Sequence, residues 1–202
     1  MCEIMVKELN NRLKELQKLS LIMECKLLDK VDVDEKKQKF IANLFKQFKF
    51  LLNNYKKLKE DSTTEEISHI ILLNICVEGL VKIILIDKDP INYLQIPIKN
   101  RTLGKLKFKL FSYIINNKDS NKELIESLFN LIGNQRNNFI HFPLYYEEDY
   151  RFEYMYFQLI AYLIDKFGYW DCLDKSIVSY IREIAVKKSI GIDLLEGIKL
   201  YK

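Results

Sequence analysis

The stretch EEDYRFEYMYFQLIAYLIDKF, residues 147–167, is apolar or aromatic on more than one face of the helix that its spacing predicts. Phe152, Tyr156, Leu159 and Leu163 form one stripe, and Tyr154, Phe157, Ala161 and Ile164 form another. A helix wetted along one side needs only one such stripe. The segment therefore belongs either at the centre of a bundle or against a second subunit, and spacing alone leaves both open. Around it, the 202-residue chain holds only 6 Gly and 3 Pro, with 49% hydrophobic and 30% charged residues, which excludes collagen-like, low-complexity and predominantly disordered chains. The expected fold is all-α, a bundle of about six or seven helices in a single domain spanning 1–202. It comprises an N-terminal helical hairpin (1–60), a core (62–170), and a C-terminal helix and tail (171–202).

Outward from that helix, apolar spacing places the others. Ile4, Leu9, Leu13, Leu16, Met23 and Leu27 mark a first helix, and Phe40, Leu44, Phe48, Leu51, Leu52 and Tyr55 mark the buried side of a second over 34–59. A capping box, Thr63-x-x-Glu66, opens a third that runs to residue 86. Asp89, Pro90 and Pro97 then break periodicity, so residues 87–99 are expected to be a connecting loop that shapes a cleft edge. Further helices follow over 102–115, 122–142 (ended by Pro143), 147–167 and 175–188. The apolar run HIILLNICVEGLVKIILI (69–86) is interrupted by Asn74, Glu78 and Lys82, and two charges at the centre of a membrane span would each cost several kcal/mol. A buried helix is expected there, with no membrane as partner.

Charge and cysteine usage narrow the functional classes. The net charge of +4 permits phosphate contact without requiring it. Cys2, Cys25, Cys76 and Cys172 contain no C-x-x-C pair, so neither a zinc ribbon nor a disulfide framework is expected, and they read as thiols of a reducing cytoplasm. His69 and His141 are the two histidines, too few for a nitrogen-rich metal site within one chain, and no cofactor or metal is expected. The opening MCEIMVKELN mixes acids and bases and lacks a secretory h-region, so export is not expected.

The stretch richest in chemistry is GNQRNNFIHFP (133–143), which brings Arg136, Asn137 and His141 together before a helix-ending proline. Histidine moves protons near neutral pH, and arginine offers a permanent planar charge that grips phosphate oxygens. Asn137 and His141 fall nearly on one helix face, whereas Arg136 and His141 lie about 140° and about 7.5 Å apart. One Arg and one His of a single straight helix therefore do not grip the same atom. A bend at Gly133 or a second subunit would be needed.

These residues resemble the R-x4-6-H motif of the HEPN superfamily of α-helical bundles, whose ribonuclease members often carry a polar residue directly after the arginine, as Asn137 is here. EGLVK at 78–82 and TLGKL at 102–106 resemble the family's earlier helix with a Glu and a Lys and its turn into the next helix. The resemblance covers about residues 62–170. It implies a metal-independent endoribonuclease, an α-helical homodimer whose two motifs face one cleft. His141 would act as general base or acid, Arg136 would stabilise charge on the phosphorane, and Asn137 would orient His141 or bond the RNA backbone. The products would be a 2′,3′-cyclic phosphate and a 5′-hydroxyl, and the biological role that of a toxin or phage-defence effector. Some toxin members extend the motif to R-x4-H-x-Y, but that position is Pro143 here. An antitoxin protein, if a partner, would be of a kind other than the one that modifies that tyrosine. The same resemblance leaves open a non-catalytic HEPN module that binds a protein or nucleotide, and a plain helical scaffold is a third reading.

Bland readings accompany the remaining residues. Glu78 and Lys82 are expected to form an intrahelical ion pair, and His69 to be a satisfied structural residue. Lys99, Arg101, Lys105, Lys107 and Lys109 are expected to be a solvated basic face, with a path for an RNA backbone as the sharper alternative.

Overall fold

The computed structural model of the chain describes residues 33–60, 66–114, 122–141 and 150–186, with side chains for 37–60, 69–114, 123–134 and 153–185. The first expected helix, Thr63 of the capping box, Pro143 and the last residues of the tail lie outside the described residues. The described residues form seven α-helices and no strand, the all-α bundle expected from composition and spacing. They are α1 (Val33–Glu60), α2 (Glu66–Lys88), α3 (Pro90–Gln95), α4 (Leu103–Ile114), α5 (Lys122–His141), α6 (Tyr150–Phe167) and α7 (Lys175–Val186), with single 3-10 turns at Ile98–Asn100 and Trp170–Cys172.

By compactness the chain divides into Met1–Phe40 and Ile41–Lys202. Of the first unit, the described residues are the opening turns of α1. Phe40, expected on the buried side of that helix, is half exposed. The buried stripe consists instead of Ile41, Phe45, Phe48, Leu52 and Tyr55, at alternating intervals of four and three. Position 40 lies about 100° around the helix from 41, which turns it off the stripe.

The second unit is organised around α2 and α6. All ten residues from Met155 to Ile164 are buried, and the question of centre or interface is answered by the helices around them: α2, α5 and α7 all pack on α6. In α2, Leu73, Cys76, Val77, Leu80, Val81 and Ile83 through Ile86 are buried, and α3, α4, α5 and α6 surround it. By length and composition alone His69–Lys88 would cross a membrane, but these residues are packed against the rest of the bundle. The two buried polar side chains Asn74 and Gln158 are paired: Asn74 donates to the Tyr156 hydroxyl at 3.4 Å, and Gln158 donates to the Ala185 carbonyl at 3.5 Å.

Residues 87–99 correct the expected loop. The Asp89 carboxylate accepts the Asn92 N–H at 3.1 Å and caps a six-residue helix with Pro90 in its first turn, where a missing N–H is no loss. The helix stops at Gln95 because the residue before Pro97 is driven to extended backbone, as Ile96 is at φ −69°, ψ 123°. Its last carbonyls are held by Arg101, which donates to the Leu94 and Ile96 carbonyls at 2.9 Å each and stacks its guanidinium 5.1 Å from the Tyr93 ring centre. A fixed cation at a helix C-terminus suits the dipole.

The central helix α6 ends on Gly168 at φ 74°, a left-handed conformation natural to glycine. Gly168 N–H donates to the Asp165 carbonyl at 3.1 Å and Tyr169 N–H to the Ile164 carbonyl at 2.9 Å, the paired bonds of a Schellman end. Gly168→Ala is expected to lower stability by about 1–2 kcal/mol. Gly133→Ala, inside α5 where an added Cβ meets no described atom within 4 Å, is expected to raise it by about 0.5–1 kcal/mol. Urea denaturation followed by circular dichroism measures both, and equal effects would contradict the two backbone assignments.

Candidate functional site

The residues singled out by the sequence lie on α5, which packs against α2, α4 and α6. Ile125, Leu128, Phe129 and Ile132 form its buried stripe. Phe111 of α4 meets Phe129 edge to face at 5.5 Å, and Lys107 of α4 donates to the Asn130 side chain. The helix runs without a break from Lys122 through Gly133 to His141. Arg136, Asn137 and His141 are therefore placed by helical register, with the angular separation expected from sequence. Position 136 falls about 30° from the centre of the buried stripe, whereas 137 and 141 fall about 130° and about 170° from it. The side chains of these three residues lie outside the described set.

The two earlier motif segments meet. Lys82 donates to Glu78 Oε1 at 2.7 Å, the ion pair expected from the i,i+4 order. The other oxygen, Oε2, accepts the backbone N–H of Leu103 at 3.1 Å. Thr102, whose carbonyl accepts the Lys105 and Leu106 N–H groups, stands at the start of α4, so Leu103 N–H has no partner within its own helix. Glu78 thus caps α4 from 25 residues away, with its negative charge at the positive end of the helix dipole. EGLVK and TLGKL form one joint between α2 and α4.

His69 departs from its expected role. Its Nε2 is buried and has no hydrogen-bond partner among the described residues, and its ring lies edge-on to Tyr55 at 5.7 Å. Tyr55 in turn donates to Glu153, which also holds Lys59 at 3.2 Å. Burial first, then the Glu153 charge, pushes the Tyr55 phenol far above its usual range. It is a hydrogen-bond donor with no tendency to ionise. Burial likewise pushes the Cys76 thiol up to about 12, which removes it as a nucleophile. Among the described residues no three of His, Cys, Asp and Glu lie close enough to hold a metal ion.

The basic run separates into distinct environments. Arg101 is spent on the end of α3, and Lys107 reaches Asn130. Lys105 and Lys109, one turn apart on α4, open instead onto a cleft of about 440 Å³. Asn92, Gln95 and Asn100 line it from the α3 side, and Ile96, Pro97 and Leu106 contribute its apolar surface. Sequence reasoning expected a cleft edge here but missed the amide side chains, because their convergence requires α3 to form. Comparison with protein-family models, with curated proteins and with solved structures returned no match for the chain.

Glu78→Ala is expected to cost about 1–2 kcal/mol of stability, the usual range for losing a helix cap. Glu78→Gln keeps an oxygen acceptor for Leu103 N–H and is expected to cost less than half as much. Chemical denaturation of the two variants checks this. Equal losses would place the weight on the charge pair with Lys82 rather than on the cap.

Proposed function

We propose that the chain is a metal-independent endoribonuclease of HEPN type that works as a homodimer. The observation that supports this reading is the carriage of Arg136, Asn137 and His141 on one unbroken helix. Positions 137 and 141 lie on the half of α5 opposite its packed stripe. Because a straight helix keeps Arg136 and His141 about 140° apart, docking of two copies is what lets both motifs serve one phosphate.

In the proposed reaction His141 of one copy takes the proton from the RNA 2′-hydroxyl. The 2′-oxygen bonds to phosphorus, and the bond from phosphorus to the 5′-oxygen breaks as His141 of the second copy protonates the leaving oxygen. Arg136 stabilises the extra negative charge on the phosphorane, and Asn137 orients the imidazole or holds the RNA backbone. The products are a 2′,3′-cyclic phosphate and a 5′-hydroxyl, and DNA, which lacks the nucleophile, is spared. We extend the proposal to a cytoplasmic toxin or phage-defence effector, restrained by an antitoxin protein.

Cleavage of RNA is expected to persist in excess EDTA and to fall at least about 100-fold in His141→Ala, with the fold retained by circular dichroism. Activity that strictly requires a divalent ion would overturn the mechanism. An inactive parent that is harmless on expression, like its His141 variant, would favour a non-catalytic binding module. Light scattering should report a dimer, and a monomer at working concentration would remove the shared cleft.

A further inference from the structure

We propose that the cleft between α3 and α4 binds a single-stranded segment of RNA, with Lys105 and Lys109 on its phosphates, Tyr113 stacked on a base and the amides of Gln95 and Asn100 on base edges. That the polynucleotide is RNA rests on the reading given under Proposed function. The cleft itself stands on its own geometry: at about 440 Å³ it falls within the usual range for small-ligand sites and accommodates about one nucleotide.

Lys105, Lys109 and Tyr113 recur at intervals of four along α4, so they share one face of that helix. Lys105 donates to Asn100 Oδ1 at 2.6 Å, which tethers the two walls and uses one of its three N–H donors. Lys109 is exposed at the same opening. Tyr113 is 39% exposed, and its hydroxyl is bonded to Asp89, which fixes the ring at the end of the row of lysines. Asp89, the carboxylate coupled to Lys109, accepts from the Asn92 backbone and side chain and from Tyr113. Those partners hold its charge in place as the cap of α3. Paired cations beside an aromatic face, with amides opposite, form the arrangement that tracks a nucleic-acid strand without a fixed sequence.

The probe is a fluorescein-labelled 12-nucleotide 2′-O-methyl RNA, uncleavable because it lacks the nucleophilic hydroxyl, titrated by anisotropy with the full chain between 50 and 200 mM KCl. Lys105→Gln/Lys109→Gln is expected to lower the slope of log affinity against log salt by about 1.4, and to weaken binding about 25-fold at 0.1 M salt. Lys46→Gln/Lys175→Gln, an equal loss of exposed charge elsewhere, should change little. Tyr113→Phe keeps the ring and should bind as the parent does, whereas Tyr113→Leu should bind at least five-fold more weakly. Equal losses for the two lysine pairs, or no binding by the parent, would overturn the cleft. Cleavage of unmodified RNA with an unchanged KM in Lys105→Gln/Lys109→Gln would leave the nuclease standing and the cleft refuted. Cleft-dependent binding without cleavage would do the reverse.

Discussion

The architecture depends on one constraint: the middle of α6 has no wet side. Ten consecutive residues, Met155 to Ile164, are removed from water. Each large aliphatic or aromatic member contributes about 1.5–3 kcal/mol only if neighbours close around it. α2, α5 and α7 do so, and α2, itself apolar around most of its circumference, must then be covered by α3 and α4. The outer helices are thereby assigned their places. α5, which carries Arg136, Asn137 and His141, is anchored through Ile125, Leu128, Phe129 and Ile132, a stripe that position 136 adjoins by register and from which positions 137 and 141 are turned away.

Polar groups at the margins of this core fix orientation. Glu78 joins α2 to the start of α4, and Arg101 joins the end of α3 to the turn that follows it. Tyr169 donates to Asp87 at 2.8 Å, tying the chain after α6 to the end of α2. Each bond satisfies a donor or acceptor that a helix end or a buried ring would otherwise leave unpaired, and those of Glu78 and Tyr169 are set by groups far apart in sequence. The cleft beside Lys105 and Lys109 is a by-product of two of them, since Glu78 places α4 and Arg101 folds the α3 segment back beside it.

Most helices were legible because periodicity is a local signal. The expected second, fourth and seventh helices differ from α1, α4 and α7 by no more than two residues at either end. The described parts of the third and sixth begin at Glu66 and Tyr150, and the expected first residues of both lie outside the described residues. The short helix α3 is not legible as a helix, because each of its two flanking prolines reads locally as a break. Pro90 instead supplies a favourable first turn behind the Asp89 cap, and only Pro97 ends it. Whether α6 is central or interfacial is written in its neighbours rather than in itself. The second bond of Glu78 and the edge-on contact of the His69 ring with Tyr55 are likewise contacts between helices, invisible to spacing. Of the proposed site, sequence supplied the residue types and the angular problem, and the unbroken α5 keeps that problem in place.

The account turns on an internal attack by the ribose hydroxyl assisted by histidine, and the ends left on the RNA report that step directly. Mass spectrometry of a defined oligoribonucleotide after incubation with the protein is predicted to show a 2′,3′-cyclic phosphate on the upstream fragment and a free 5′-hydroxyl on the downstream one. A 3′-hydroxyl paired with a 5′-phosphate would mean that water attacked instead, and would contradict the proposed roles of His141 and Arg136.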